Sequence, residues 1–139
     1  MVVFDILSSM KYTIFLIATL LIVGCSSKQD TLLRKHIFNQ ELHLLTMEAN
    51  RSAPKGVTIL IKSDGSFKGF GGCNSYRGRY TINKDYIHFI LEDIDTEVCD
   101  NTYFEHLYYG NLVKTNQIII QGKKVYFHNR ESRLLEFTH

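Results

Sequence analysis

The chain has 139 residues, a 45% apolar composition and a formal charge of +2 at pH 7. That is enough for one domain with a single core and too little charge to imply a polyanionic partner. Its basic residues are scattered, as at Lys55, Lys62, Lys68, Arg77, Arg79 and Lys84, which argues against nucleic-acid binding.

Met10-Lys11 is a basic start, Tyr12 to Val23 an apolar run, and Gly24-Cys25 a small residue before a cysteine. The run is shorter than the roughly 20 residues that cross a bilayer core as a helix, so an export signal is a better reading than an uncleaved anchor. Ile22-Val23-Gly24-Cys25 resembles the lipobox of bacterial lipoproteins. The resemblance implies cleavage after Gly24, diacylglyceryl on the Cys25 thiol and acylation (palmitate) of the freed amine. Two or three acyl chains on one residue make release from a membrane negligible. Ser26, where Asp would retain a lipoprotein at the inner membrane, resembles the pattern sent to an outer membrane facing the periplasm. Asp5 sits badly in a basic leader, so Met10 is expected to be the start and residues 1–9 to be untranslated. The expected organisation is a signal peptide over 1–24, lipidated Cys25 with a tether to residue 40, and a domain over 41–139.

Within the tether, Ser26 to Thr31 is polar, whereas Leu32-Leu33 and Ile37-Phe38 are compatible with a short helix before the first strand. Leu42 and Leu44 alternate about His43 as that strand. Val57 to Ile61 and Ser66 to Phe70, joined through Asp64-Gly65, predict a hairpin. Gly78 to Ile82 and Tyr86 to Ile90 predict another, across Asn83-Lys84-Asp85. From Thr102 the period becomes helical: Phe104, Leu107, Tyr108 and Leu112 share a stripe, and Thr102-Tyr-Phe-Glu105 fits a capping box. Gly110 costs about 1 kcal/mol in a helix interior, so the helix is expected to end near it or to pack closely there. Gln117 to Gln121 and Val125 to His128 meet across Gly122-Lys123, and Leu134 to Phe137 closes the sheet.

Gly65-Ser-Phe-Lys-Gly69-Phe-Gly-Gly72-Cys73-Asn74-Ser-Tyr76-Arg-Gly78-Arg-Tyr80 resembles the signature of the META domain, the HslJ-like family, and Thr96 to Cys99, Glu105, Leu112 and Leu135 to Phe137 follow in the family's order. The resemblance covers about Leu42 to Phe137. It implies an α+β, mainly β fold, a small antiparallel sheet or a partly open barrel-like sheet with one packed helix. It further implies an envelope lipoprotein domain without enzymatic activity, linked in some members to heat shock and novobiocin tolerance.

Lipid on Cys25 leaves Cys73 and Cys99, an even pair in an oxidising compartment, as disulfide candidates; the alternative is two free thiols. Gly69, Gly72, Cys73, Asn74 and Gly78 read as a structural motif. The glycines look superficially like a phosphate cradle but lack a following helix and a Lys-Ser/Thr pair, so a bulge or corner is expected, with the Asn74 amide tying backbone left unpaired by the bend. No histidine spacing matches a metal site, and Glu92, Asp93, Asp95 and Glu97 do not match a calcium loop. No cofactor, metal or catalytic residue is therefore expected. Seven tyrosines (76, 80, 86, 103, 108, 109 and 126) are read as core or rim, an exposed cluster being the sign of a binding surface. The leading expectation is a lipid-anchored, non-catalytic binding or structural module with an unidentified envelope protein partner. The alternatives are an accessory subunit of an envelope complex, or a small metal-dependent or hydrolytic enzyme, which needs a pocket gathering His88, His128 or acidic residues.

Overall fold

The computed structural model describes residues 28–48, 50–100 and 102–139; the expected signal segment and Cys25 lie outside them. Its organising element is an antiparallel sheet built by alternation of buried and exposed residues. In β1 (Glu41–Met47) Leu42, Leu44 and Met47 are buried, with a register shift between Leu44 and Thr46 that leaves Leu45 outside. A two-residue strand, β2 (Arg51–Ser52), pairs with its end. The predicted hairpins follow as β3 (Thr58–Ile61) with β4 (Ser66–Phe70), and β5 (Ser75–Asn83) with β6 (Tyr86–Ile94). The last strands are β7 (Gln117–Gln121), β8 (Lys124–Asn129) and β9 (Ser132–Thr138).

The strands run in the order β6-β5-β4-β3-β1-β9-β8-β7, with β2 attached to β1, so the nine form one mainly-β open sheet. Turn chemistry sets the hairpins: Gly65 and Gly122 adopt positive φ (88° and 61°), as does Lys84 (55°). The ends of the order meet inside the molecule, where Phe89 of β6 stacks on Phe127 of β8 at 5.6 Å and the Ile87 N–H donates to the Asn116 carbonyl. Phe67, Phe127, Phe137, Ile59, Ile61 and Ile87 fill the core. The hydrophobic effect, about 25 cal/mol per Å² buried, is its main stabilising term.

Among the described residues two helices flank the sheet, where one packed helix was expected. The first, α1 (Lys28–His36), begins inside the segment read as a tether: Leu33 and Ile37 are fully buried, Phe38 packs on Tyr80, and the Asn39 N–H donates to the Ile61 carbonyl. Leu33 and Ile37, four residues apart and both buried, outweigh the polar composition before them. The second, α2 (Thr102–Lys114), buries Tyr108, Tyr109 and Leu112. It continues past Gly110, which is exposed and would give an added Cβ no neighbour within 4 Å, so the helix neither ends nor packs closely there. The expected capping box does not form either: the Thr102 hydroxyl donates to the Cys99 carbonyl at 2.6 Å, and the Glu105 carboxylate is bound elsewhere.

Candidate functional site

Gly71 to Asn74 is the corner between β4 and β5, and its glycines answer to separate steric demands. Tyr76 stands opposite Gly69 in the β4–β5 register and reaches across it to donate to the Thr58 carbonyl at 2.8 Å. A Cβ on Gly69 would collide with both groups. Phe67 stands opposite Gly78 and covers it in the same way, so two aromatic rings lie over cross-strand glycines in opposite directions. At Gly71 a Cβ would meet the Glu105 carboxylate and the Tyr109 hydroxyl, and Gly72 holds φ at 106°. The stretch is a corner leading into a strand, without the helix that a phosphate cradle needs.

Beneath the corner lies a buried polar cluster. Glu105 Oε1 accepts from the Asn74 N–H at 2.7 Å and the Tyr109 hydroxyl at 2.8 Å, while Oε2 accepts from Asn74 Nδ2 at 2.8 Å. Burial alone would raise the Glu105 pKa; hydrogen bonds from the Asn74 side chain and backbone, Tyr109 and the Cys73 backbone outweigh it and hold the carboxyl below its ordinary value. Asn74 also accepts from the Glu97 N–H at 2.7 Å and donates to the Glu97 carbonyl at 3.2 Å. It thus ties the β6–α2 loop to the corner, rather than only the bend's own backbone. A disulfide between Cys73 and Cys99, with Cα atoms 6.0 Å apart, fastens the same loop.

Tyr76 uses its single proton on Thr58, so the 2.6 Å contact between the Tyr76 and Tyr108 hydroxyls has Tyr108 as donor. Burial raises the Tyr76, Tyr108 and Tyr109 pKa values well above 10, and that of Tyr80 to about 12. At neutral pH these rings are neutral and Glu105 is an ionised acceptor already supplied with donors. Such a cluster ties the corner, α2 and the β6–α2 loop to one another. The buried role of Glu105 is not what its sequence position suggests, because a Glu three residues after Thr102 matches the solvent-facing capping pattern; the available signal was its place on the stripe of Tyr108, Tyr109 and Leu112.

A concavity lies on the opposite face of the sheet. A groove of about 630 Å³ crosses β1, β3, β4, β5 and β6. Its spine is a register ladder, Glu41 beside Leu60, then Lys68, Arg77 and Asp93, and the next row holds Thr58, Phe70 and Ser75. Arg77 pairs with Asp93 at 2.6 Å, and Phe70 is 36% exposed. The groove therefore offers both signs of charge around an aromatic ring.

The other candidates stay dispersed. His88 sits exposed on β6 opposite Thr81, and His128 lies on β8, its pKa lowered by burial and by Arg133; neither lines the groove. Glu92 pairs with Arg79, as Asp93 does with Arg77, which accounts for much of the acidic run. Among the described residues no three His, Cys, Asp or Glu side chains converge as metal ligands. Of the tyrosines, 76, 80, 108 and 109 are core, whereas Tyr86 and Tyr103 are exposed on β6 and on the first turn of α2.

The sequence model of the META domain matches residues 38–139. No curated protein matches the chain. Among solved structures, a DUF4847 family protein from Bacteroides vulgatus superposes with a TM-score of 0.61 at 11% identity, over 77% of this chain and 96% of that one. A protein from Burkholderia xenovorans superposes with a TM-score of 0.62 at 17% identity, over 84% and 91%. At these identities the likeness is one of fold.

Proposed function

The chain belongs to the META domain family, and on that premise we propose that it is a non-catalytic binding module of the bacterial envelope, anchored through lipid on Cys25, that engages an envelope protein partner with the outer-face groove. The observation that carries this reading is the division of labour between the two faces of β4 and β5. Signature residues Gly69, Tyr76 and Gly78 lock the sheet, and Asn74 with Glu105 locks the corner, while the outward side chains of the same strands, Lys68, Phe70 and Arg77, stand in a groove with charges of both signs that Gly69 and Tyr76 also line. Such a surface suits an extended polypeptide, whose backbone and side chains present both charge and apolar area. The lipobox-like segment and Ser26 support an outer-membrane address, and the family resemblance supports a role in envelope stress or antibiotic tolerance.

A photoreactive residue placed at Lys68 in intact cells tests it. The expected result is a discrete adduct of higher mass that is lost when Arg77→Gln is added. Absence of any adduct from Lys68 and from Phe70, with the protein present in the membrane fraction, contradicts the reading.

A further inference from the structure

If Cys25 is the lipid anchor, only Ser26 and Ser27 separate it from the start of α1 at Lys28. Three Cα-to-Cα steps reach about 11 Å at full extension. A headgroup layer is about 5–8 Å thick. Whatever path those residues take, the start of α1 is held within about a nanometre of the lipid, so the end of the domain that carries it faces the membrane.

Strand directions say which end. Glu41, the start of β1, pairs with Leu60 near the end of β3, so the β3–β4 turn shares the α1 end of the sheet. Ser66 pairs with Arg79, which brings the β5–β6 turn to the same end. His43 and Lys124 both pair with Thr138, which adds the β7–β8 turn. Basic residues collect here: Arg34 and Lys35 on α1, Lys62 and Lys84 beside or in two turns, and Lys123 and Lys124 at the third, against Asp30, Glu41, Asp64 and Asp85. This surplus sits in a chain whose overall formal charge is only +2. Tyr86, 54% exposed beside Lys84, adds an amphipathic ring of the kind that settles at headgroup level. The β1–β2 and β8–β9 turns, with Asn50 and Arg130, lie at the opposite end.

We propose that α1 and the three turns bearing Lys62, Lys84 and Lys123 form a docking surface for the anionic headgroups of the membrane that carries the protein. The domain then lies on the bilayer instead of swinging from it, leaving the far end and the sheet's outer face open to the compartment. This rests on lipidation of Cys25 for the short reach, whereas the charge surplus stands without it. Both act at one range, since attraction to an anionic surface fades within a Debye length of about 8–10 Å.

The test uses full chain recovered from bacterial membranes, its acylation checked by mass, in nanodiscs of phosphatidylethanolamine and phosphatidylglycerol carrying a paramagnetic headgroup lipid. Amide signals of Lys35, Lys84 and Lys123 should lose more than half their intensity while those of Asn50 and Arg130 keep theirs. Combined Lys35→Glu, Lys84→Glu and Lys123→Glu should cut that contrast at least threefold. Uniform broadening, or broadening strongest at Asn50 and Arg130, overturns the proposal. If mass analysis finds no acyl group, the anchor reading fails separately, and the same chain is sedimented with phosphatidylglycerol vesicles. Binding lost in the triple variant then upholds the docking surface, and absence of binding overturns it.

Discussion

Asn74 and Glu105 share a buried carboxylate–amide pairing: both the N–H and the Nδ2 of Asn74 donate to one carboxylate, while the same side chain closes two hydrogen bonds on the Glu97 backbone. Asn74→Ala removes three of these four bonds and takes a donor from a buried charge. Hydrogen bonds to charged groups are worth about 1.5–3 kcal/mol each, so a loss of about 3 kcal/mol is expected, read as a lowered urea midpoint with an unchanged slope. Asn74→Asp, which sets a second carboxylate against Glu105, should cost at least as much.

Gly69→Ala and Gly78→Ala drive a methyl into the Thr58 carbonyl and the Phe67 ring respectively, and neither strand can yield without breaking its ladder. Each should destabilise the domain by about 2 kcal/mol or more. Gly110→Ala should do the reverse, stabilising by about 0.5–1 kcal/mol, because the site is helical, exposed and open around the new Cβ. Thermal unfolding of the three variants should place them on opposite sides of the parent.

The disulfide joins residues separated by 26 in sequence, for which chain entropy predicts about 3.5 kcal/mol of stabilisation. Cys73→Ala with Cys99→Ala should lower stability by up to that amount yet leave the fold intact, because Asn74 grips the same loop independently. Circular dichroism should be unchanged in shape. Adding Asn74→Ala should free the loop and make it the first site of protease cleavage.

Stability should fall at both pH extremes for identified reasons. Glu105 and Glu136 have carboxyl pKa values held below the ordinary 4.5, Glu136 chiefly by the Lys124 hydrogen bond. Their contribution is therefore present above pH 4.5 and lost as pH falls through the lowered values. Tyr80, raised to about 12 by burial, contributes below pH 10 and loses that contribution as pH rises toward 12. Glu105→Gln should flatten the acid limb of a stability–pH curve and leave the alkaline limb in place.

Local chemistry explains what the sequence made legible. Asp64-Gly65, Asn83-Lys84-Asp85 and Gly122-Lys123 each specify a turn within a few residues, so the hairpins β3–β4, β5–β6 and β7–β8 could be placed. The parity of Cys73 and Cys99 pointed to the bond that the structure contains. What stayed hidden depended on distant partners. The signature glycines are required by Tyr76, Phe67 and Glu105, residues from other elements. The apolar pairs Leu32-Leu33 and Ile37-Phe38 allowed a short helix, but its start at Lys28, inside the polar stretch, was hidden because the surfaces that bury Leu33 and Ile37 come from elsewhere in the chain. The groove was invisible for the same reason: Glu41, Lys68, Arg77 and Asp93 become neighbours only through the strand register.

On the proposed function, buried contacts of the signature hold the fold while its exposed side chains Lys68, Phe70 and Arg77 bind. Lys68→Gln with Arg77→Gln, made in the chain carrying a photoreactive residue at Phe70, tests it most directly. Exposed ion pairs contribute little, so the melting temperature should stay within about 3 °C of the parent, while the crosslinked adduct in intact cells disappears. An adduct that persists undiminished, or a melting temperature that drops as far as in Asn74→Ala, would contradict the account.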